Sequence, residues 1–219
     1  MSTYLITGAN RGIGLEFCRQ LKNSGNEVIA ICREKSPELA DLEVRIEDNI
    51  DIGNDGAIAS LKERLKDTAI DVLINNAGIH SRNTLESLDF DDLLHQFNVN
   101  SLGALRVIKA LLPNLKAGSK IAIITSRMAS IDDNTSGSSY GYRMSKVALS
   151  MAGKSLAIDL KPKQIPVAIL HPGLVQTRMT NFRGISTTEA VTGLLARIGE
   201  LNLENTGTFW HSNGQVLPW

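Results

Sequence analysis

The sequence predicts an α/β fold: one Rossmann-like domain over residues 1–219, a doubly wound parallel sheet of about seven strands with helices on both faces. Three observations predict it. Apolar runs of strand length alternate with longer segments of helical period, as parallel strands joined by crossover helices require. Those runs are near-continuous rather than alternating, which fits strands covered on both sides. A glycine-rich turn lies between the first run and the first helical segment, where such sheets hold ligands beyond their carboxyl ends.

The elements follow in order. Tyr4-Leu5-Ile6-Thr7 is the first strand, and Ile13, Phe17 and Leu21, four apart, mark one face of a helix ending near Gly25. Val28-Ile29-Ala30-Ile31-Cys32 is the second strand and Val44-Arg45-Ile46 a weaker third. Ile58, Leu61 and Leu65 mark a helix, and Val72-Leu73-Ile74 the next strand. A long helical region, begun by Asn98-Val99-Asn100, passes through Leu102, Leu105 and Ile108 towards Pro113. Ile121-Ala122-Ile123-Ile124 follows as a strand, then a helix from Tyr140 to Leu160 stopped by Pro162. Val167-Ala168-Ile169-Leu170, a helix near Thr188 to Leu201 and a strand near Thr208-Phe209-Trp210 complete the pattern.

Composition narrows the function. Hydrophobic residues make up 42% and charged residues 21%, which excludes a disordered chain. The 23 Lys and Arg balance the 23 Asp and Glu, so no broad basic field is available for nucleic acid or an anionic membrane. No apolar run reaches the ~18 residues of a membrane span. Cys18 and Cys32 are too few for a disulfide scaffold, and neither they nor His80, His95, His171 and His211 have metal-ligand spacing; no metal is expected. The strand pattern begins at Thr3, so no cleavable leader is expected, and the expected location is cytoplasmic.

The turn Thr7-Gly8-Ala9-Asn10-Arg11-Gly12-Ile13-Gly14 joins a strand to a helix. Glycines there allow a sharp turn and close approach of a pyrophosphate to the helix N-terminus, where free N–H groups and the dipole favour an anion. Gly8, Asn10, Arg11, Gly12, Ile13 and Gly14 are therefore cofactor-binding candidates. The second strand runs into Arg33-Glu34. An arginine at this point suits the 2′-phosphate of NADP, and an acid suits the ribose of NAD. Arg33 directly follows the apolar run and Arg11 lies within the glycine turn, so two guanidinium groups can clamp one phosphate; NADP is expected over NAD.

Tyr142 and Lys146 are four apart on a helix and so share a face. A fixed ammonium near a phenol stabilises the phenolate and lowers its pKa from about 10. Taken alone, such a pair is common on exposed helix faces. Other motifs add weight: Asn75-Asn76-Ala77-Gly78 closes one strand, Thr125-Ser126 closes another, and Pro172-Gly173 follows a third with Thr177 just beyond. All fall at the carboxyl ends of strands, on the side of the glycine turn.

Together these ordered motifs resemble the short-chain dehydrogenase/reductase family over nearly the whole chain. The resemblance implies Ser126, Tyr142 and Lys146 as a catalytic triad with Asn100 as fourth member. Tyr142 would exchange a proton with the substrate oxygen, and Lys146 would hold the nicotinamide ribose and lower the tyrosine pKa. Ser126 would orient the carbonyl, and Asn100 would support a water-linked relay through Lys146. Asn75, Ala77 and Gly78 would line the adenosine and ribose side, Asp51 and Ile52 would sit at the adenine, Pro172, Gly173 and Val175 would also bind the cofactor, and Thr177 would bond the carboxamide. Within the family, Arg127-Met128 and Gly214-Gln215-Val216-Leu217-Pro218-Trp219 are similar to the C-factor and sniffer-type carbonyl reductases. The implied function is an NADPH-dependent oxidoreductase acting on a small carbonyl or alcohol; the alternative is a dinucleotide-binding signalling protein of C-factor type with little turnover.

The stretch between Ser126 and Tyr142 is longer than the family's usual spacing, and Ser130 competes for the serine role. Gly137-Ser138-Ser139-Tyr140-Gly141 matches a G-x-S-x-G nucleophile elbow, with Asp159 and His171 following in hydrolase order, but no strand feeds it. His80 follows Gly78 and could edge the pocket, but a solvated loop histidine is the favoured reading. The segment from Arg178 to Thr187 reads as a short substrate lid with Met179, Phe182 and Ile185 as apolar contacts and Arg178 and Arg183 as anion anchors, the alternative being that these residues merely cover the sheet. Val147 and Met151, on the helix from Tyr140, exceed what one sheet contact needs, and a homodimer or homotetramer is expected.

Overall fold

The computed structural model describes residues 1–219. Seven parallel strands form one sheet: β1 (Thr3–Thr7), β2 (Glu27–Ile31), β3 (Arg45–Glu47), β4 (Ile70–Asn75), β5 (Leu115–Ile124), β6 (Val167–His171) and β7 (Phe209–His211). Their order is β3-β2-β1-β4-β5-β6-β7. The chain winds outward from β1 to β3 and then restarts at β4 on the other side of β1. That reversal is the switch point at which the strand ends leave a crevice for ligands.

Successive strand residues face opposite layers, so each strand feeds two cores. Ile6, Ala30, Ile74, Ala122 and Leu170 pack with Phe17 and Leu21 of α1 (Gly12–Asn23) and with Val191 and Leu194 of a carboxyl-terminal helix, Thr187–Glu200. Leu5, Ile31, Leu73, Ile121 and Ile123 pack on the other face against Ile58 and Leu61, Val107 and Ile108, and Leu149, from three further helices. In chain order the helices after α1 are α2 (Pro37–Ala40), α3 (Asp55–Arg64), α4 (Phe90–Phe97), α5 (Ala104–Leu111), α6 (Tyr140–Asp159) and α7 (Thr187–Glu200).

Three expectations are corrected. Asn98-Val99-Asn100 does not begin the central helix: α4 starts at Phe90, capped by the Asp89 carboxylate on the N–H groups of Asp91 and Asp92. Asn98–Gly103 is a π-helical turn joining α4 to α5. The second strand ends at Ile31, one residue before Cys32. β5 begins at Leu115 rather than Ile121. Its register against β4 shifts between Ile70 and Val72, and the stretch Lys116-Ala117-Gly118-Ser119 forms the irregularity that hides the strand from an apolar pattern.

Candidate active site

β1 passes into the glycine turn, and α1 starts at Gly12 with Arg11 as its N-cap. No side chain caps this helix and its first turn holds no acid, so its N–H groups and positive dipole end stay open to an anion. A Cβ on Gly14 would lie 2.2 Å from the Gly8 carbonyl oxygen and 2.7 Å from Asn76 Nδ2, so only glycine closes this turn. Gly12 has a left-handed φ of +55°, and a Cβ there would meet Thr177 Cγ2 at 3.3 Å. Thr177, from beyond β6, therefore stands directly across from the helix start.

The end of β4 is laced to this turn. Thr7 Oγ1 accepts from the N–H groups of Asn76 (3.0 Å) and Ala77 (3.1 Å), and Asn76 Nδ2 donates to the Thr7 carbonyl at 3.0 Å. Thr7 and Asn76 stand inside their motifs, but the spacing alone assigns neither a role. Asn75 is buried with both amide side-chain atoms unpartnered. A buried polar group left unpaired is costly, and a ligand in the crevice would satisfy it. This orphaned amide and the uncapped helix start fit a dinucleotide. Asn10 and Ile13 are half-buried in the turn. Arg11 and Arg33 are exposed and join none of the chain's ion pairs, so both guanidinium groups are free for a phosphate. Asp51 Oδ1 accepts from the Gly53 N–H at 2.8 Å. Ile52 turns its side chain into the core against Gly103.

Tyr142 lies in the first turn of α6 and Lys146 one turn on, both buried. Lys146 Nζ donates to the Ile124 carbonyl oxygen at 3.0 Å and lies 5.8 Å from the Tyr142 ring centroid. Burial lowers the Lys146 ammonium to about 8. Burial also raises the Tyr142 phenol, with the Ser126 hydroxyl pulling it back. The lowering expected from the Lys146 ammonium is not seen in this structure, where enclosure of the ring raises the phenol. Ser126 caps the turn that follows β5, its Oγ accepting from the Met128 N–H at 3.1 Å.

Asn100 is fully buried. Its Oδ1 accepts from the Ile79 N–H at 2.8 Å, and its Nδ2 donates to the Ile79 carbonyl and the Ser145 hydroxyl, each at 2.9 Å. A Cβ on Gly78 would lie 3.2 Å from Asn100 Oδ1 and 3.3 Å from Lys146 Nζ, so Gly78 brings the segment after β4 onto both. The structure thus gathers Ser126, Tyr142, Lys146 and Asn100 with Asn75, Ala77 and Gly78 at the carboxyl end of the sheet. Pro172 and Gly173 follow β6 at that end, and Val175 is buried where its segment pairs with Ile185.

The competing readings separate on geometry. Ser130 Oγ donates to the Trp219 carbonyl and accepts from the Asp133 N–H, both at 3.1 Å, so it braces its own loop. Around the elbow motif, the Ser139 N–H donates to the Asn83 carbonyl and the Tyr140 N–H to Asn83 Oδ1, each at 2.7 Å, which leaves neither as an oxyanion donor. His80 is corrected from a solvated loop residue: its half-buried ring packs 4.5 Å from the Tyr142 ring centroid. In the segment from Arg178 to Thr187, Met179 and Phe182 are exposed.

Comparison with known proteins supplies the context for this geometry. The family of short chain dehydrogenases matches residues 2–186. The chain is 38% identical to a 1-hydroxy-2-glutathionyl-2-methyl-3-butene dehydrogenase of Rhodococcus sp. (strain AD45), over 100% of both chains. It is 43% identical to the C-signal of Myxococcus xanthus, over 68% of this chain and 93% of that one. Among solved structures, an NADPH-bound carbonyl reductase from chicken fatty liver superposes with a TM-score of 0.89 at 30% identity, covering 100% of this chain and 99% of that one.

Proposed function

The chain belongs to the short-chain dehydrogenase family, and on that premise we propose that it is an NADPH-dependent reductase of carbonyl compounds, with Tyr142 as its acid-base group. The observation that carries this reading is the burial of Tyr142, Lys146, Ser126 and Asn100 together beside an uncapped helix start and an unpartnered Asn75 amide. The nucleotide is held by the amide groups at the start of α1 and by Asn75, with Arg11 and Arg33 on the 2′-phosphate and Thr177 at the carboxamide. The family likeness to an NADPH-bound carbonyl reductase supports the same nucleotide.

NADPH, when bound, supplies a hydride to the carbonyl carbon. Negative charge then builds on the carbonyl oxygen. Ser126 donates a hydrogen bond that orients this oxygen, and Tyr142 delivers the proton that turns it into a hydroxyl. Lys146, lowered to about 8, is poised to return a proton near neutral pH. Asn100 spends both of its side-chain groups on Ile79 and Ser145, so it acts by fixing the backbone around the site. The reverse reaction oxidises an alcohol by the same steps.

Likeness to the C-signal keeps a second reading in view, a dinucleotide-binding signalling protein with little turnover. Such a protein needs the nucleotide pocket but not the proton-transfer group. The test is loss of NADPH absorbance with a panel of aldehydes, ketones and quinones: turnover supports the reductase, and tight NADPH binding with no turnover on any of them supports the signalling protein. Arg33→Asp is expected to weaken NADPH by about one to two decades and NADH much less, as loss of a charge-assisted contact predicts. Equal loss for both nucleotides would overturn the 2′-phosphate assignment.

A further inference from the structure

The three residues before α6, Gly137, Ser138 and Ser139, all have left-handed backbones, with φ of 59°, 56° and 52°. Two of the three are not glycine, and such strain persists only where surrounding contacts over-determine it. Those contacts come from the segment after β4. Asn83, itself buried, takes the Ser139 N–H on its carbonyl and the Tyr140 N–H on its Oδ1. It thereby caps α6 from another part of the chain, since the Ser139 side chain makes no capping bond to α6. Freed from capping, the buried Ser139 hydroxyl lies 3.3 Å from His80 Nε2. The His80 ring in turn lies against the Tyr142 ring at 4.5 Å, tilted by 56°. Its neighbour Ile79 is gripped at both N–H and carbonyl by Asn100.

We propose that His80 is a positioning residue for Tyr142: anchored by the Ser139 hydroxyl on one side and by the Asn100-held backbone on the other, its ring fixes the angle at which the phenol meets the substrate oxygen. The strained turn exists to aim Ser139 at His80, which the elbow-like motif in the sequence does not reveal. Burial and then the Arg82 charge lower the imidazole pKa, against a smaller upward pull from Asp92, so the ring is neutral at neutral pH and can share a hydrogen bond with Ser139 without carrying charge into the site.

The proposal rests on Tyr142 being the acid-base group, and the experiment separates the two. His80→Phe keeps a ring against Tyr142 but loses the bond to Ser139; Ser139→Ala loses the same bond and keeps the imidazole. Both are measured with the parent and the double variant for kcat, KM, NADPH Kd and solvent deuterium isotope effect. The expected result is a fall in kcat of about tenfold in each single variant, the size of one hydrogen bond of about 1.4 kcal/mol. NADPH Kd and thermal stability stay near the parent's, and the isotope effect on kcat rises as proton transfer becomes slower. The double variant is no worse than either single one, because both remove one interaction. In a Tyr142→Phe background, neither substitution lowers the residual rate further. If Tyr142→Phe is inactive but both single variants keep kcat and isotope effect within twofold of the parent, the positioning role is wrong while the acid assignment stands. If both lose activity only in step with stability or NADPH affinity, the cluster is structural and the proposal fails. If Tyr142→Phe is itself active, the functional reading fails first.

Discussion

At the residue scale, Lys146 carries a cost that the fold accepts for chemistry. Its ammonium is buried with one neutral partner, the Ile124 carbonyl, and its pKa falls to about 8 from an ordinary value near 10.4. Below pH 8 both folded and unfolded chains hold the proton, so the penalty is present in full. Between about 8 and 10.4 the unfolded chain holds the proton and the folded chain does not, so stability rises with pH across that window. A shift of this size amounts to destabilisation on the order of 2–4 kcal/mol at neutral pH. Lys146→Met removes it but leaves the Ile124 carbonyl without its partner, at about 1–3 kcal/mol. The nucleotide-free variant is therefore expected to be more stable than the parent at pH 7, by about 1 kcal/mol, with a flatter profile from pH 8 to 10 and no turnover. Urea unfolding across pH checks this, and a less stable variant at pH 7 would show that the ammonium is better compensated than its surroundings indicate.

At the element scale, the π-turn Asn98–Gly103 widens the helix between α4 and α5 and sets Asn100 facing Ile79 and Ser145. Asn100→Ala orphans two backbone groups of Ile79, at an expected cost of about 2–4 kcal/mol in urea unfolding. Asn100→Asp keeps the acceptor and loses the donor, and is expected to lie between parent and alanine variant. A cost below about 1 kcal/mol for Asn100→Ala would mean that water replaces the amide freely. This turn marks where the sequence was hard to read. The central apolar strands and α1 were legible because burial on both faces leaves unbroken apolar runs. The start of α4 was missed because Phe90 and Leu94 are exposed rather than part of a buried stripe, and α2 because four residues show no period. The glycine turn, Tyr142 and Lys146 were legible because their spacing is local. Asn83 was not, and for His80 and Ser139 their mutual contact was not, because these residues meet only once the segment after β4 and α6 are folded together.

At the scale of the whole molecule, one face is more apolar than a lone sheet-helix domain requires. Phe90 and Leu94 of α4 and Met144, Met151 and Ile158 of α6 are all exposed, the last three spaced seven apart along one side of the helix. Val147, half-buried beside them, joins the same surface. We expect two copies to pair across α4 and α6 as a homodimer, or to build a homotetramer from such pairs. Sedimentation at micromolar concentration is expected to show at least twice the 23.8 kDa chain mass, and Met151→Lys with Ile158→Lys to return it to one chain. A parent that sediments as a single chain would contradict this. Every strand is parallel and every candidate site residue lies at or beyond a strand's carboxyl end or on a helix beside it, so the fold's main consequence is to bring distant motifs to one crevice.

The most direct test of the account is the rate of NADPH consumption by Tyr142→Phe with the best carbonyl substrate of the parent. The substitution keeps the ring that packs against His80 and removes only the hydroxyl. General acid catalysis contributes about 10²–10⁴-fold, so kcat is expected to fall by two to four orders of magnitude while NADPH binding and thermal stability remain close to the parent's. A variant that turns over within a few-fold of the parent would contradict the assignment of Tyr142 as the acid, and with it the reading of this crevice as the site of carbonyl reduction.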